Sequence, residues 1–290
     1  TGAANPLIPN RSYIQACITE DRKHPFSKVD FHVGNEDDLD ISDFLDRKSI
    51  IGVRRGQPVP RMNPSAPRFI HLDLAVSGDA LGMAVGHISG QRVLAKADKQ
   101  TPGLVKEVNL PEIEIDMFVR IVPKKGSKIR FEAIRNFVGD LRSYGYNIGL
   151  ITADTYQSTD MLQILARQGF NTKQVSMDRA KASDAAPFMY LKDAIMEGRL
   201  SMYDYPILTA ELVNLQRFDV VKQGKVQIVV DHPAKMNYDG EIMKGSKDVA
   251  DALCGVVYML MTEELSVTSA TEKTSGGRMV PEQIISTTVR

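Results

Sequence analysis

The sequence predicts an α/β protein on a mixed sheet: an antiparallel three-strand meander extended by a parallel βαβ unit, with helices on both faces and a C-terminal β-hairpin insertion. Three observations carry this. Strand-like runs at 68–76, 80–89 and 108–122 follow one another with no helical pattern between them. From 127 onward helix and strand patterns alternate, as in a parallel extension. A chain of 290 residues, 43% hydrophobic and 25% charged, is long enough to bury one core with appendages.

Residues 1–66 show little periodicity and much proline, at 6, 9, 25, 58, 60, 64 and, just beyond, 67. We read them as a linker and lead-in that packs partly on the sheet formed by the later residues. The acidic run from Glu36 to Asp46 lacks the glycine and closing Glu of a calcium loop, so a solvated acidic helix is expected. The chain opens on Thr1 rather than Met, as a piece of a longer protein would.

The first strand places Asp73 inside the apolar run Phe69-Ile-His-Leu-Asp-Leu-Ala-Val, and Asp79 lies beyond a Ser-Gly turn. An ionised carboxylate in a buried strand is costly unless it is paired or bound to a metal. Ala80 to Ser89 reads as the hairpin partner. Val108 to Val122 alternates with period two, and Pro111 suggests an edge. Ser127 then caps a helix over 128–143, with Ile129, Ile134, Phe137, Val138 and Leu141 on one face. Tyr146 to Asp154 is a short apolar strand ending on an acid. A helix over 158–168, a strand over 172–178 and helices over 183–197 and 206–217 come next. Residues 219–230 form a hairpin around Gln223-Gly224, 246–262 a last helix, and 263–290 a polar, flexible tail.

Composition restricts function. Lys plus Arg and Asp plus Glu are both 36, so any nucleic-acid surface must be a local patch. Two cysteines, Cys17 and Cys254, make no disulfide framework, and a reducing cytoplasm is expected. No apolar run approaches membrane-spanning length.

The chemistry resides in dispersed acids. In a parallel extension, strand C-termini gather functional groups along one edge, and Asp154 lies at such an end. Asp248 and Asp251 share a face at the start of the last helix, where the helix dipole alone would also favour them. Asp73, Asp154 and Asp251 are far apart in sequence, yet this topology brings each to one sheet edge. Hard divalent cations take such carboxylates, with water and substrate phosphate. Phosphatase chemistry would want Asp-x-Asp, and the residue two beyond Asp73 is Ala75.

His71-Leu-Asp-Leu-Ala-Val-Ser-Gly-Asp79, Ile151-Thr-Ala-Asp-Thr-Tyr-Gln-Ser158 and Gly245-Ser-Lys-Asp-Val-Ala-Asp-Ala-Leu253 resemble the nuclease domain of tailed-bacteriophage large terminase subunits, within the RNase H-like nucleases. The resemblance spans about residues 67–262. It implies catalytic metal-binding roles for Asp73, Asp154 and Asp251, auxiliary metal roles for Asp79 and Asp248, and two magnesium or manganese ions. It also implies an endonuclease cutting concatemeric viral double-stranded DNA during genome packaging in the host cytoplasm. Expected partners are an ATPase motor domain of the same polypeptide, the portal and the small terminase subunit. The motor's phosphate-binding loop is missing: Gly240-Glu-Ile-Met-Lys-Gly-Ser-Lys247 has Ser and Lys in the wrong order.

For DNA, Lys124, Lys125, Lys128, Arg130 and Arg135 cluster at the meander-to-helix junction, a solvated loop being the plainer reading. Lys222 and Lys225 sit on the hairpin, which the resemblance favours as an arm across the duplex. His71 shares Asp73's face but reads as a core histidine. Two other functions fit the same acids. One is another RNase H-like nuclease, of junction-resolvase or recombinase type; the other is a non-catalytic docking module of a packaging motor. Cutting confined to branched DNA would mark the first, and indifference to Asp73→Asn the second.

Overall fold

The fold is taken from a computed structural model. It describes residues 5–35, 37–75, 79–97, 103–154, 158–175, 177, 185–222, 225–238 and 240–275, with only the backbone for 222, 225 and 263–275. The first segment supplies β1 (Asn5–Pro6), α1 (Arg11–Gln15), β2 (Phe31–Val33), a 3-10 turn at Ile41–Phe44, α2 (Arg47–Ile50) and the hairpin β3 (Ile51–Arg54)–β4 (Gln57–Pro60). The meander is β5 (Arg68–Asp73), β6 (Leu81–Ala97) and β7 (Val105–Pro123). Then come α3 (Glu132–Ser143), β8 (Ile148–Ala153), α4 (Thr159–Arg167), β9 (Thr172–Gln174), α5 (Ala186–Met196), β10 (Leu200–Ser201) and α6 (Pro206–Asn214). Two hairpins, β11 (Gln216–Lys222)–β12 (Lys225–Asp231) and β13 (Lys235–Tyr238)–β14 (Glu241–Lys244), lead to α7 (Asp248–Ser275).

The main sheet has the order β10-β7-β6-β5-β8-β9, with β2 beside β7. β5, β6 and β7 are antiparallel neighbours, and β8 joins β5 in parallel with β9 outside it. This is the predicted RNase H-like mixed sheet. One face is covered by α5, α6 and α7 through Phe188, Leu191, Leu208, Leu253 and Val257. The other is covered by α3 and α4 through Phe137, Leu141, Met161 and Leu165.

Several boundaries differ from expectation, each for a physical reason. The helix expected from 128 starts at Glu132 without a side-chain cap, because the Lys128 N–H is drawn to Asn35 Oδ1 at 2.9 Å. β7 is not an edge strand: besides β6 it pairs with β10 at 113–114 and β2 at 121–123. Pro111 is tolerated because it lies beyond the end of β10. The last helix continues to Ser275, through the start of the expected tail; 276–290 lie outside the described residues. The strand expected over 172–178 stops at Gln174. The lead-in packs on both faces, burying Leu7, Ile8 and Ile14 on one and Phe26, Phe31 and Ile41 on the other. Among the described residues no helix is long and apolar enough to cross a membrane.

Candidate acidic site at the sheet edge

β5 and β8 run parallel in register, Leu72 opposite Ala153, so the next positions, Asp73 and Asp154, emerge together. The Asp154 N–H continues the ladder to the Leu72 carbonyl at 3.3 Å. Alternation turns both acids away from the buried Leu72 and Ala153, toward the face that carries α7.

α7 lies on that face at close range. A Cβ on Gly82 would stand 2.0 Å from the Asp248 carbonyl oxygen, and one on Gly255 would stand 2.0 Å from the His71 ring. Only glycine permits this approach, and it brings the first turn of α7 down beside the end of β5. Asp251 is buried, and Lys247 Nζ donates to its Oδ2 at 2.7 Å. Asp248 lies over Gly82, which pairs with Asp73 on one side and with Arg120 of β7 on the other.

Electrostatics agree with this gathering. Burial pushes the Asp73 carboxyl well above the usual range, and Asp251, Asp248 and Asp154 push it further, against the opposing pull of Lys247. Asp248 is raised by burial and Asp79, while a hydrogen bond from Ser246 and the charges of Arg120 and His232 hold it down. A buried cluster of one sign is relieved by a proton or a cation.

Four of the five predicted acids therefore meet. Asp79 stays at the rim, exposed, in a 2.5 Å ion pair with Lys244. Among the described residues no three His, Cys, Asp or Glu side chains converge closely enough to surround one ion.

The basic cluster stands at the same end of the sheet, beyond the end of β7, which is parallel to β5. It faces the acidic loop of the lead-in: Lys124 pairs with Asp37 at 3.1 Å, and Arg130 donates to the Asn35 carbonyl at 2.7 Å. Lys125 and Lys128 are exposed. Arg135 turns toward α4, 3.9 Å from Met161 Sδ. Lys222 and Lys225 pair at the hairpin tip, and their side chains lie outside the described residues.

His71 is fully buried, with Nδ1 2.7 Å from Thr152 Oγ1 and no hydrogen-bond partner for Nε2, and burial lowers its pKa to about 4. It is a neutral core histidine under α7.

Two functional neighbours escaped the sequence reading. Arg120 is buried, bonded to Asp30 Oδ2 at 3.0 Å, and its charge acts on Asp248. Glu211 of α6 is fully buried; its Oε2 accepts the N–H groups of Val249 at 3.0 Å and Ala250 at 2.8 Å. Ser246 Oγ lies 2.5 Å from Glu211 Oε1 and 2.7 Å from Asp248 Oδ2. One hydroxyl proton serves only one of these carboxylates, so a proton on Glu211 would satisfy both contacts. Burial, then Asp248, push Glu211 to about 8. In sequence both residues had one available signal, a lone charge in an apolar run.

Fold and site together define an RNase H-like α/β domain with four carboxylates at one sheet edge. The chain is similar in structure to phage large terminases. It covers 88% of itself and 97% of the large terminase nuclease of thermophilic phage G20c with bound magnesium, at 14% identity and a TM-score of 0.49. For the Thermus phage P74-26 large terminase nuclease domain the shares are 87% and 94%, at 13% and 0.47. For the HK97 bacteriophage large terminase they are 89% and 44%, at 12% and 0.48, so the chain spans less than half of that protein. At these identities the likeness concerns the fold alone. No protein-family model and no curated protein matches the chain.

Proposed function

We propose that this domain is a metal-dependent DNA endonuclease, with Asp73, Asp154 and Asp251 as its metal-binding acids and Asp248 as an auxiliary. The observation that supports it is the raised Asp73 carboxyl, held among three other carboxylates at a sheet edge. The donor set fits magnesium or manganese: all hard oxygens, too few for an all-protein cage, as expected where water and substrate phosphate complete the shell. When bound there, one or two such ions would supply an activated water and charge stabilisation at the leaving oxygen.

The chain's own groups do the rest. Asp73 and Asp154 are fixed by the β5–β8 ladder, and Asp251 by the close seat of α7. Lys247 and Arg120 limit repulsion within the acid cluster before a cation enters. Lys124, Lys125, Lys128 and Arg130, at the same sheet end, would take duplex phosphates, and Lys222 and Lys225 would reach from the hairpin. Asp79 would act at the rim. The sequence resemblance extends this to cutting of concatemeric viral DNA in the host cytoplasm. There the domain would accompany an ATPase motor in the same polypeptide and meet the portal and the small subunit. One observation favours a second reading, a docking module without catalysis: no three acids close around a single ion among the described residues.

Supercoiled plasmid incubated with the protein and magnesium or manganese decides between them. Nicking without sequence preference is expected, lost in chelator and in Asp73→Asn, and weakened steeply by salt. Cleavage that persists in chelator or in the variant would overturn the proposal. A complete absence of cleavage would favour the docking module.

A further inference from the structure

We propose that Glu211 is a positioning residue: it clamps the first turn of α7 to α6 and so fixes where Asp248 and Asp251 stand relative to Asp73 and Asp154. Its functional consequence rests on the nuclease reading above, while the clamp itself rests on geometry.

The first N–H groups of a helix have no partner within it. They are ordinarily met by a Ser, Thr, Asp or Asn just before the helix. Here the local candidate, Ser246, is engaged between Glu211 and Asp248. The acceptor for Val249 and Ala250 comes instead from Glu211, on a different helix and fully buried. The cap therefore joins two elements and does more than end one.

The other side of the same turn has no slack. The Asp248 carbonyl sits where even a methyl on residue 82 could not fit. The first turn of α7 is pressed onto the sheet from below and held from α6 at its end. Of the four acids, two are fixed by the sheet ladder and two depend on this turn. Ser246 completes the link, reaching both Glu211 and the Asp248 carboxylate. Outer groups that orient metal-binding side chains typically change metal affinity by about 10- to 100-fold when removed.

Two substitutions separate clamping from charge. In Glu211→Gln the amide oxygen can accept both N–H groups while its NH2 donates to Ser246 Oγ. Glu211→Leu keeps the bulk and removes every acceptor. Two readouts are taken: hydrogen exchange at Val249 and Ala250 in metal-free protein, and manganese half-saturation followed by electron paramagnetic resonance.

Glu211→Leu should exchange faster at both amides and raise the manganese half-saturation roughly 10-fold or more. Glu211→Gln should stay within about 3-fold of the parent in both. Faster exchange with unchanged manganese binding would reduce Glu211 to a helix cap and overturn the positioning role. Equal damage from Gln and Leu would overturn it too, since charge rather than the clamp would then matter. Should the Leu variant not fold, Ser246→Ala must raise half-saturation several-fold, and no rise counts against the clamp. If the parent protein binds manganese but never cleaves DNA, the nuclease reading fails while the exchange data still decide the clamp.

Discussion

The two ends of β5 solve the problem of buried charge in opposite ways. At its start, Arg68 is fully buried, and its guanidinium donates to the carbonyls of Met62, Asn63 and Ala66 and to Asp116 Oδ1 at 3.2 Å. His87 Nδ1 lies 2.8 Å from the other Asp116 oxygen, and Asn63 Nδ2 lies 2.9 Å from His87 Nε2. Each Asp116 oxygen thus has a partner of the right kind. At its end, Asp73 is raised by three neighbouring carboxylates, with Lys247 as a counterweight. The first cluster is closed and holds the lead-in to the sheet. The second gains by accepting a cation. Burial by itself does not mark a functional charge; the sign and sufficiency of the partners do.

Breaking the closed end should have the larger effect on folding. Arg68→Met strands a buried carboxylate at Asp116 and releases three carbonyls. Unfolding in denaturant should show a loss of about 3–5 kcal/mol. A loss under about 1 kcal/mol would mean that the cluster does not fasten the lead-in to the sheet.

The open end should reveal itself through pH, with a smaller change. Glu211 is raised from 4.5 to about 8, so in that window the folded chain binds a proton that the unfolded chain has released. Stability without metal therefore falls as pH rises across the window, and Asp73, raised in the same direction, adds to the fall. Melting temperatures in chelator should drop between about pH 5 and about pH 8. Glu211→Gln should flatten the drop, and a slope unchanged by that variant would contradict the assignment.

The same contrast explains what could be read in advance. The strand order and three of the acids were legible, because Asp73 interrupts an apolar run, Asp154 ends one and Asp251 sits in an apolar helix. Glu211 gives the same signal in Leu208-Thr-Ala-Glu-Leu212, but its partners are backbone N–H groups at 249 and 250, and no spacing encodes them. Asp116 was hidden for another reason. It is the extra residue where the β6–β7 register shifts between Val85 and Gly86, so period-two counting fails there. The helix start was misplaced because Asn35 holds the segment before it. The basic cluster looked free in sequence, and Asp37 faces it in space.

Whether the acidic edge is a metal centre can be seen by anomalous diffraction from crystals soaked in manganese. A metal centre requires a peak bounded by Asp73, Asp154 and Asp251 that disappears in Asp73→Asn. A map with no peak there, or with manganese only on the acidic loop around Asp37, would contradict it.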